Sequence, residues 1–253
     1  MNNSKRIIFL DMMRALAVLM MVEGHTVDAF LSDAFRNPNS ASFNLWLTIR
    51  GFTAPIFMFT SGVAFTYLLR LNKEPFFQNP RVKKGFFRFI TLILIAYLLR
   101  YPTYTFFNFS VVTRDQWMTF FTVDALHLIG FGLLFILILA FAAEKLKLND
   151  WIVFAIGALF FFLMFSVTEK IIWTNFLPIP FAAYFYHGTG SLFPFFPWVG
   201  YVICGAILGS YLAHNPNSFG TKKISLQLFA AGASILVVAA GIEIVENIFY
   251  SGK

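Results

Sequence analysis

Charge is what this sequence has least of. Only 12% of its 253 residues are Asp, Glu, Lys or Arg, against about 25% in a typical soluble domain. That is too few to clothe a water-facing globule, so a soluble fold is excluded and the long apolar runs take over the reading. Cysteine is nearly absent too. The single Cys204 excludes an internal disulfide framework and says nothing of redox compartment. Neither HExxH nor CxxC occurs, so no metal is assigned. There is no GxSxG elbow and no glycine-rich phosphate loop, which removes the common serine-hydrolase and nucleotide-binding readings. No internal repeat is visible, so the matching halves of many transporters are missing.

What the chain does have is apolar length. Runs at about 7–29, 44–71, 86–108, 124–143, 151–167, 194–213 and 224–246 predict an all-α, polytopic transmembrane helix bundle of about seven spans. Only helices and closed barrels satisfy the backbone in lipid, and these runs are too long for barrel strands. Residues 1–253 read as a single integral membrane domain. The opening MNNSKR imitates a secretory signal, but Asp11 and Arg14 interrupt the apolar core, so it reads as an uncleaved first span.

The net charge of +7 is local. Arg70, Lys73, Arg81, Lys83, Lys84 and Arg88 are opposed only by Glu74, and this stretch supplies +5 of the total. Such a loop stays in the cytoplasm. It reads as a topology signal, with contact to anionic lipid headgroups as the alternative, and nucleic acid is not an expected partner. The N-terminus is then cytoplasmic, while loops 30–43 and 109–123 and segment 168–193 lie outside. A bacterial inner membrane suits these charges. Segment 168–193 is broken by Pro178, Pro180, Gly188 and Gly190 and is rich in aromatics, as in an interfacial or re-entrant stretch.

The first span carries Asp11, Arg14, Glu23, His25 and Asp28. A charge near mid-membrane costs at least about 2.5 kcal/mol, so several in one span point to a site. Arg14 and His25 are eleven residues apart and fall within about 20° of each other on a helix. Asp11 and Asp28 flank this stripe, while Glu23 lies about 200° from His25 and faces elsewhere. In later spans Arg50, Arg100, Asp124 and His127 project to the same outer half as His25. A neutral imidazole at His25 can serve as general base, with a carboxylate such as Asp28 setting its tautomer. Its plain alternative is an interfacial histidine. Arg14 can hold a phosphate or pair with Asp11. Asp124 and His127, three apart, either contact substrate or bond each other, and Arg50 and Arg100 either bind or snorkel. His187 and His214 read as loop residues, and Glu243 and Glu246 as interfacial charges. Pro55 should kink the second span. Ser61-Gly62 and the Gly205/Gly209 pair let helices approach closely.

The first span, LDMMRALAVLMMVEGH, resembles the opening span of transmembrane acyltransferases, with an arginine and a histidine at matching spacing. GFTAPIFMFTSGVAF (51–65), DALHLIGFGLL (124–134) and FPFFPWVGYVICGAILG (193–209) narrow the resemblance to the heparan-alpha-glucosaminide N-acetyltransferase-like family, whose bacterial members are often called a domain of unknown function. The likeness covers most of residues 6–213. It implies transfer of an acetyl group from cytoplasmic acetyl-CoA, with no metal, to a sugar amine or hydroxyl outside. It implies His25 as the catalytic histidine, Arg14 on the CoA side or as a structural partner, and His127 orienting the acceptor. Ala15 follows Arg14 where the family often has glycine. Members usually have more spans, so the chain reads as shortened relative to them. The partners expected are the bilayer and a glycan or amino-sugar acceptor, and a homo-oligomer is compatible with either. Two rival readings use the same charges: an exporter of a glycan or small anion, and a non-catalytic membrane partner.

Overall fold

The computed structural model describes residues 7–103, 108–216, 218 and 221–250, without the side chains of 238–240 and 242–250. Lys5 and Arg6, and the side chains of Glu243 and Glu246, lie outside the described residues. Every regular element described is a helix. They are α1 (Ile8–Phe30), α2 (Ala41–Gly51), α3 (Thr53–Leu71), α4 (Pro80–Leu99), α5 (Arg114–Phe121), α6 (Ala125–Leu146), α7 (Asp150–Thr168), the one-turn α8 (Ile179–Ala182), α9 (Phe195–His214) and α10 (Lys222–Tyr250). Contacts divide the chain into two units, Met1–His214 and Asn215–Lys253. The second unit is built on α10, a 29-residue helix.

Among the described residues, four helical stretches are long and apolar enough to cross a membrane by length and composition: Ala41–Leu71, Arg114–Leu146, Asp150–Thr168 and Phe195–His214. The first unit is a helical membrane bundle. Helices α1 and α4 also have spanning length. What sets them apart is charge: Asp11, Arg14, Glu23 and Asp28 on α1, and Arg81, Lys83, Lys84 and Arg88 on α4.

Several boundaries differ from the expected spans, each for a local reason. The second span is two helices broken at Phe52. A proline ring clashes with the carbonyl four residues back. For Pro55 that is the carbonyl of Gly51, where α2 ends, so Pro55 falls in the first turn of α3 and needs no N–H there. The third helix starts at Pro80, six residues earlier than expected. Asn79 caps it, accepting from the Arg81 N–H at 2.9 Å while its amide donates to the Leu69 carbonyl at 3.0 Å. Charge hides this start from a hydropathy reading, although Asn-Pro is a helix-entry signal. Loop 109–123 contains α5, opened by a Thr113–Gln116 capping box, a pattern visible as T-x-x-Q. Segment 168–193 is irregular as expected, with short 3-10 turns at Trp173–Asn175 and His187–Thr189.

The core runs between α3, α6, α7 and α9, around Met58, Leu128, Ile136, Phe154, Val202 and Ile203. Its tightest seam is α3 on α9. A Cβ on Gly62 would lie 1.9 Å from the Val202 carbonyl oxygen, and one on Gly205 would lie 2.0 Å from that of Phe59. These backbones touch, so the small residues singled out in both helices do pack helix on helix. At one end of the bundle Arg70 Nη2 bonds Asp150 Oδ1 at 2.7 Å and the Ser210 hydroxyl donates to Oδ2 at 3.2 Å, joining α3, α7 and α9. Both charges are largely buried. Asp150→Ala would strand the Arg70 guanidinium, and is expected to cost about 1–3 kcal/mol, read as a lower melting midpoint in detergent.

Candidate active site

The charges of the first span divide between two cavities. Along α1 the rise per residue separates Arg14 from His25 by about 16 Å. Arg14 lines a cavity of about 190 Å³ between α1, α3, α4 and α6, together with Ser61, Arg81, Lys84 and Arg88. No acidic residue among those described lines it. Arg81, Lys84 and Arg88 follow one another by three and four residues on α4, so they form one helical stripe. As plain charge they read as a topology signal. The i, i+3, i+7 spacing is the sign that they also make a surface, because a loop signal needs no periodicity. Four cations lining one cavity suit a phosphate or pyrophosphate.

His25 lines the second cavity, of about 490 Å³, with Arg50, Thr53, Arg100 and Asp124 among apolar Met20, Phe57 and Leu126. Phe57 and Leu126 are walls of both cavities. The two spaces are therefore neighbours, with the basic one at the Arg14 end of α1 and the histidine one at the other. Thr53, at the start of α3, carries no sequence signal for this role. Its hydroxyl is shielded and has no hydrogen-bond partner among the described residues.

Most of the polar groups around His25 are already committed. Arg50 makes a two-pronged pair with Asp28, Nη1 to Oδ1 at 2.7 Å and Nη2 to Oδ2. The expectation that Asp28 holds the tautomer of His25 is not met. It holds Arg50 instead, because α2 runs alongside the end of α1 and a guanidinium offers a carboxylate two parallel donors. Arg50 also lies over the Trp46 ring at 5.1 Å, and the Trp46 indole N–H donates to Glu23 at 2.5 Å. Glu23 thus faces α2 and not the cavity, as its angle on the helix requires. Gly24 lets Arg50 pass, since a Cβ there would be 3.2 Å from the guanidinium Nε.

Across the cavity Arg100 Nε donates to Asp124 Oδ2 at 3.2 Å. Asp124 caps α6, accepting from the N–H groups of Leu126 at 2.9 Å and His127 at 3.3 Å. His127 Nδ1 lies 3.0 Å from Asp124 Oδ1. The expected Asp124–His127 pair is present. His127 is completely buried, however, and lines none of these cavities. Its link to the His25 cavity runs through Asp124. Behind it stand Tyr97, with ring centroids 4.5 Å apart, and Tyr184, whose hydroxyl is 2.9 Å from that of Tyr97. Burial pushes the Tyr184 phenol well above its ordinary pKa, and the bond to Tyr97 adds to the shift, so it stays protonated.

This leaves His25 as the one imidazole lining the cavity. It is exposed to it and makes no hydrogen bond to another described residue. The remaining histidines serve elsewhere. His187 is 3.1 Å from Glu169, and His214 Nδ1 is 2.8 Å from the Ser210 carbonyl oxygen. No group of three or more His, Cys, Asp or Glu side chains among the described residues is placed to hold a metal ion.

A family model described as heparan-alpha-glucosaminide N-acetyltransferase, catalytic, matches residues 6–240. No curated protein and no solved structure matches the chain.

Proposed function

Because the chain belongs to the heparan-alpha-glucosaminide N-acetyltransferase catalytic family, a family of membrane acetyltransferases, we propose that it moves an acetyl group from acetyl-CoA onto a sugar amine or hydroxyl on the opposite side of the membrane. The observation that carries this reading is the end-to-end arrangement of the two cavities. The basic one suits the phosphates of a CoA ester, and the shared wall of Phe57 and Leu126 lets its acyl arm point toward His25. With the basic stretch held in the cytoplasm, the donor enters from that side and the acceptor from outside.

His25 acts as general base. Its unprotonated nitrogen takes the proton from the acceptor N–H or O–H as that atom attacks the thioester carbonyl. The new C–N or C–O bond forms, the C–S bond breaks, and the thiolate takes the proton back from the imidazolium. Arg50 and Arg100 stay charged and are held in place by Asp28 and Asp124, so they stabilise developing negative charge on the carbonyl oxygen. His127 is a positioning residue, fixing the rotamer of Asp124 and through it Arg100.

The test is transfer of label from acetyl-CoA in membranes containing the protein, with a panel of amino sugars and glycans. If wild type moves no label onto any of them, the reading fails. Replacing both Arg81 and Lys84 by Ala is expected to raise KM for acetyl-CoA at least about tenfold with kcat little changed. Each replacement removes a charged contact of about 1.5–3 kcal/mol. An unchanged KM would place the donor elsewhere.

A further inference from the structure

Arg100 and Asp124, which line the His25 cavity, also line a neighbouring space of about 710 Å³, bounded by the end of α4 and by Asp115, Gln116 and Thr119 of α5. A smaller lobe of about 430 Å³ continues past Arg100, Asp115 and Thr119 to Thr122 and Thr189. The two lobes lie within the size range of small-molecule sites. Hydroxyl, amide and carboxylate groups line them beside apolar Leu99, Pro102, Met118 and Leu192.

Helix α5 is built to present these groups. Trp117, Phe120 and Phe121 pack among themselves at ring separations of 5.0–5.8 Å, with Phe109 against Trp117 and Tyr97 against Phe120. The capping box fixes its first turn. Asp115, Gln116 and Thr119 are left exposed on the open side. Gln116 uses its carbonyl oxygen on Thr113, which leaves its amide N–H groups to donate. Asp115 has no hydrogen bond or ion pair with another described residue. Arg100 is neutralised by Asp124, so the lining carries one net negative charge. That favours a cationic or neutral polyol and disfavours an anion.

We propose that this vestibule is an acceptor subsite, and that Asp115, Gln116 and Thr119 hold the amine and hydroxyls of the sugar unit next to the one that reacts. The inference rests on the acetyltransferase reading and adds to it. The acceptor is at least two units long, and α5 sets its specificity. Gln116 donates to ring hydroxyls, Asp115 accepts from an ammonium or hydroxyl, and Thr119 does either.

The probes are glucosamine and its β-1,4-linked dimer with both amines free, titrated against the full chain in detergent. Wild type is expected to bind the dimer about tenfold more tightly than the monomer. Asp115→Asn keeps the side-chain shape, and Thr119→Trp fills the space from another position. Each is expected to erase the dimer's advantage while leaving monomer binding and KM for acetyl-CoA unchanged. A wild type that binds dimer no better than monomer, or binds neither, overturns the subsite. So does a dimer advantage that survives both variants. Failure of the enzymatic reading looks different: the dimer binds with its full advantage, both variants erase it, and no label leaves acetyl-CoA.

Discussion

His25→Ala membranes are expected to transfer acetyl groups at least about 100-fold more slowly than wild type, with KM for acetyl-CoA unchanged. The magnitude is that of losing a general base. The residues around the cavity explain why nothing replaces it. Arginine stays protonated in proteins, which removes Arg50 and Arg100. Asp124 accepts from Arg100 and from two α6 N–H groups, and His127 Nδ1 adjoins the same oxygen. Asp28 is engaged by both arms of Arg50. Each carboxylate is occupied by donors that would have to be given up before it could take a proton. The donor KM stays put because the basic cavity is lined by other residues. His25→Gln keeps the volume and a hydrogen-bonding head but cannot take a proton, so it should be as slow as His25→Ala. A glutamine variant near wild-type rate would remove His25 from the chemistry.

Gly205→Ala is expected to yield little folded protein, by the disruption of one methyl group. Its Cβ would stand 2.0 Å from the Phe59 carbonyl oxygen and 2.9 Å from the Val63 nitrogen, and both are backbone atoms of α3. Side chains can rotate away from such a contact; a helix backbone must translate. Gly62, facing the other way, and Gly209, 2.5 Å from the Val63 carbonyl oxygen, meet the same seam and would move with it. The penalty should exceed about 3 kcal/mol, a large share of the stability of a typical domain. Gly51→Ala is the control, since a Cβ there would meet nothing within 4 Å. Detergent extracts report the outcome: Gly51→Ala elutes as a single species with a wild-type melting midpoint, and Gly205→Ala aggregates or melts far earlier. If the two variants melt alike, α3 and α9 do not touch in this way.

These two residues also show what a sequence makes legible. Gly205 and Gly209 are four apart, and a small-xxx-small pair in an apolar helix points to close packing whatever the partner. That the partner is α3, through Gly62, is a matter of which helices neighbour each other. The stripe from Arg14 to His25 follows likewise from helical periodicity. Which carboxylate would serve His25 does not follow. Asp28 is three residues away and on the right side, but Arg50 of another helix offers it a better bond. Arg81, Lys84 and Arg88 are visible as charge and as a stripe, yet their meeting with Arg14 depends on how α4 packs near α1. The α5 vestibule escapes a sequence reading although T-x-x-Q announces a helix start, because an eight-residue helix with a polar first turn is weak against a hydropathy signal.

The sequence by itself determined the helical membrane class, the family, the helix faces that carry charge or small residues, and most helix ends. All of these rest on interactions within one helix or between a helix and its solvent, which residues a few positions apart decide. Only the tertiary structure decided that Asp28 belongs to Arg50, that His127 is buried behind Asp124, that four cations share one cavity, and that His25 occupies the next. Those pairings depend on the rotation and approach of helices distant in the chain. In this protein the approach of α3 to α9 is governed by which backbone atoms can touch, and periodicity along a single helix carries no information about that.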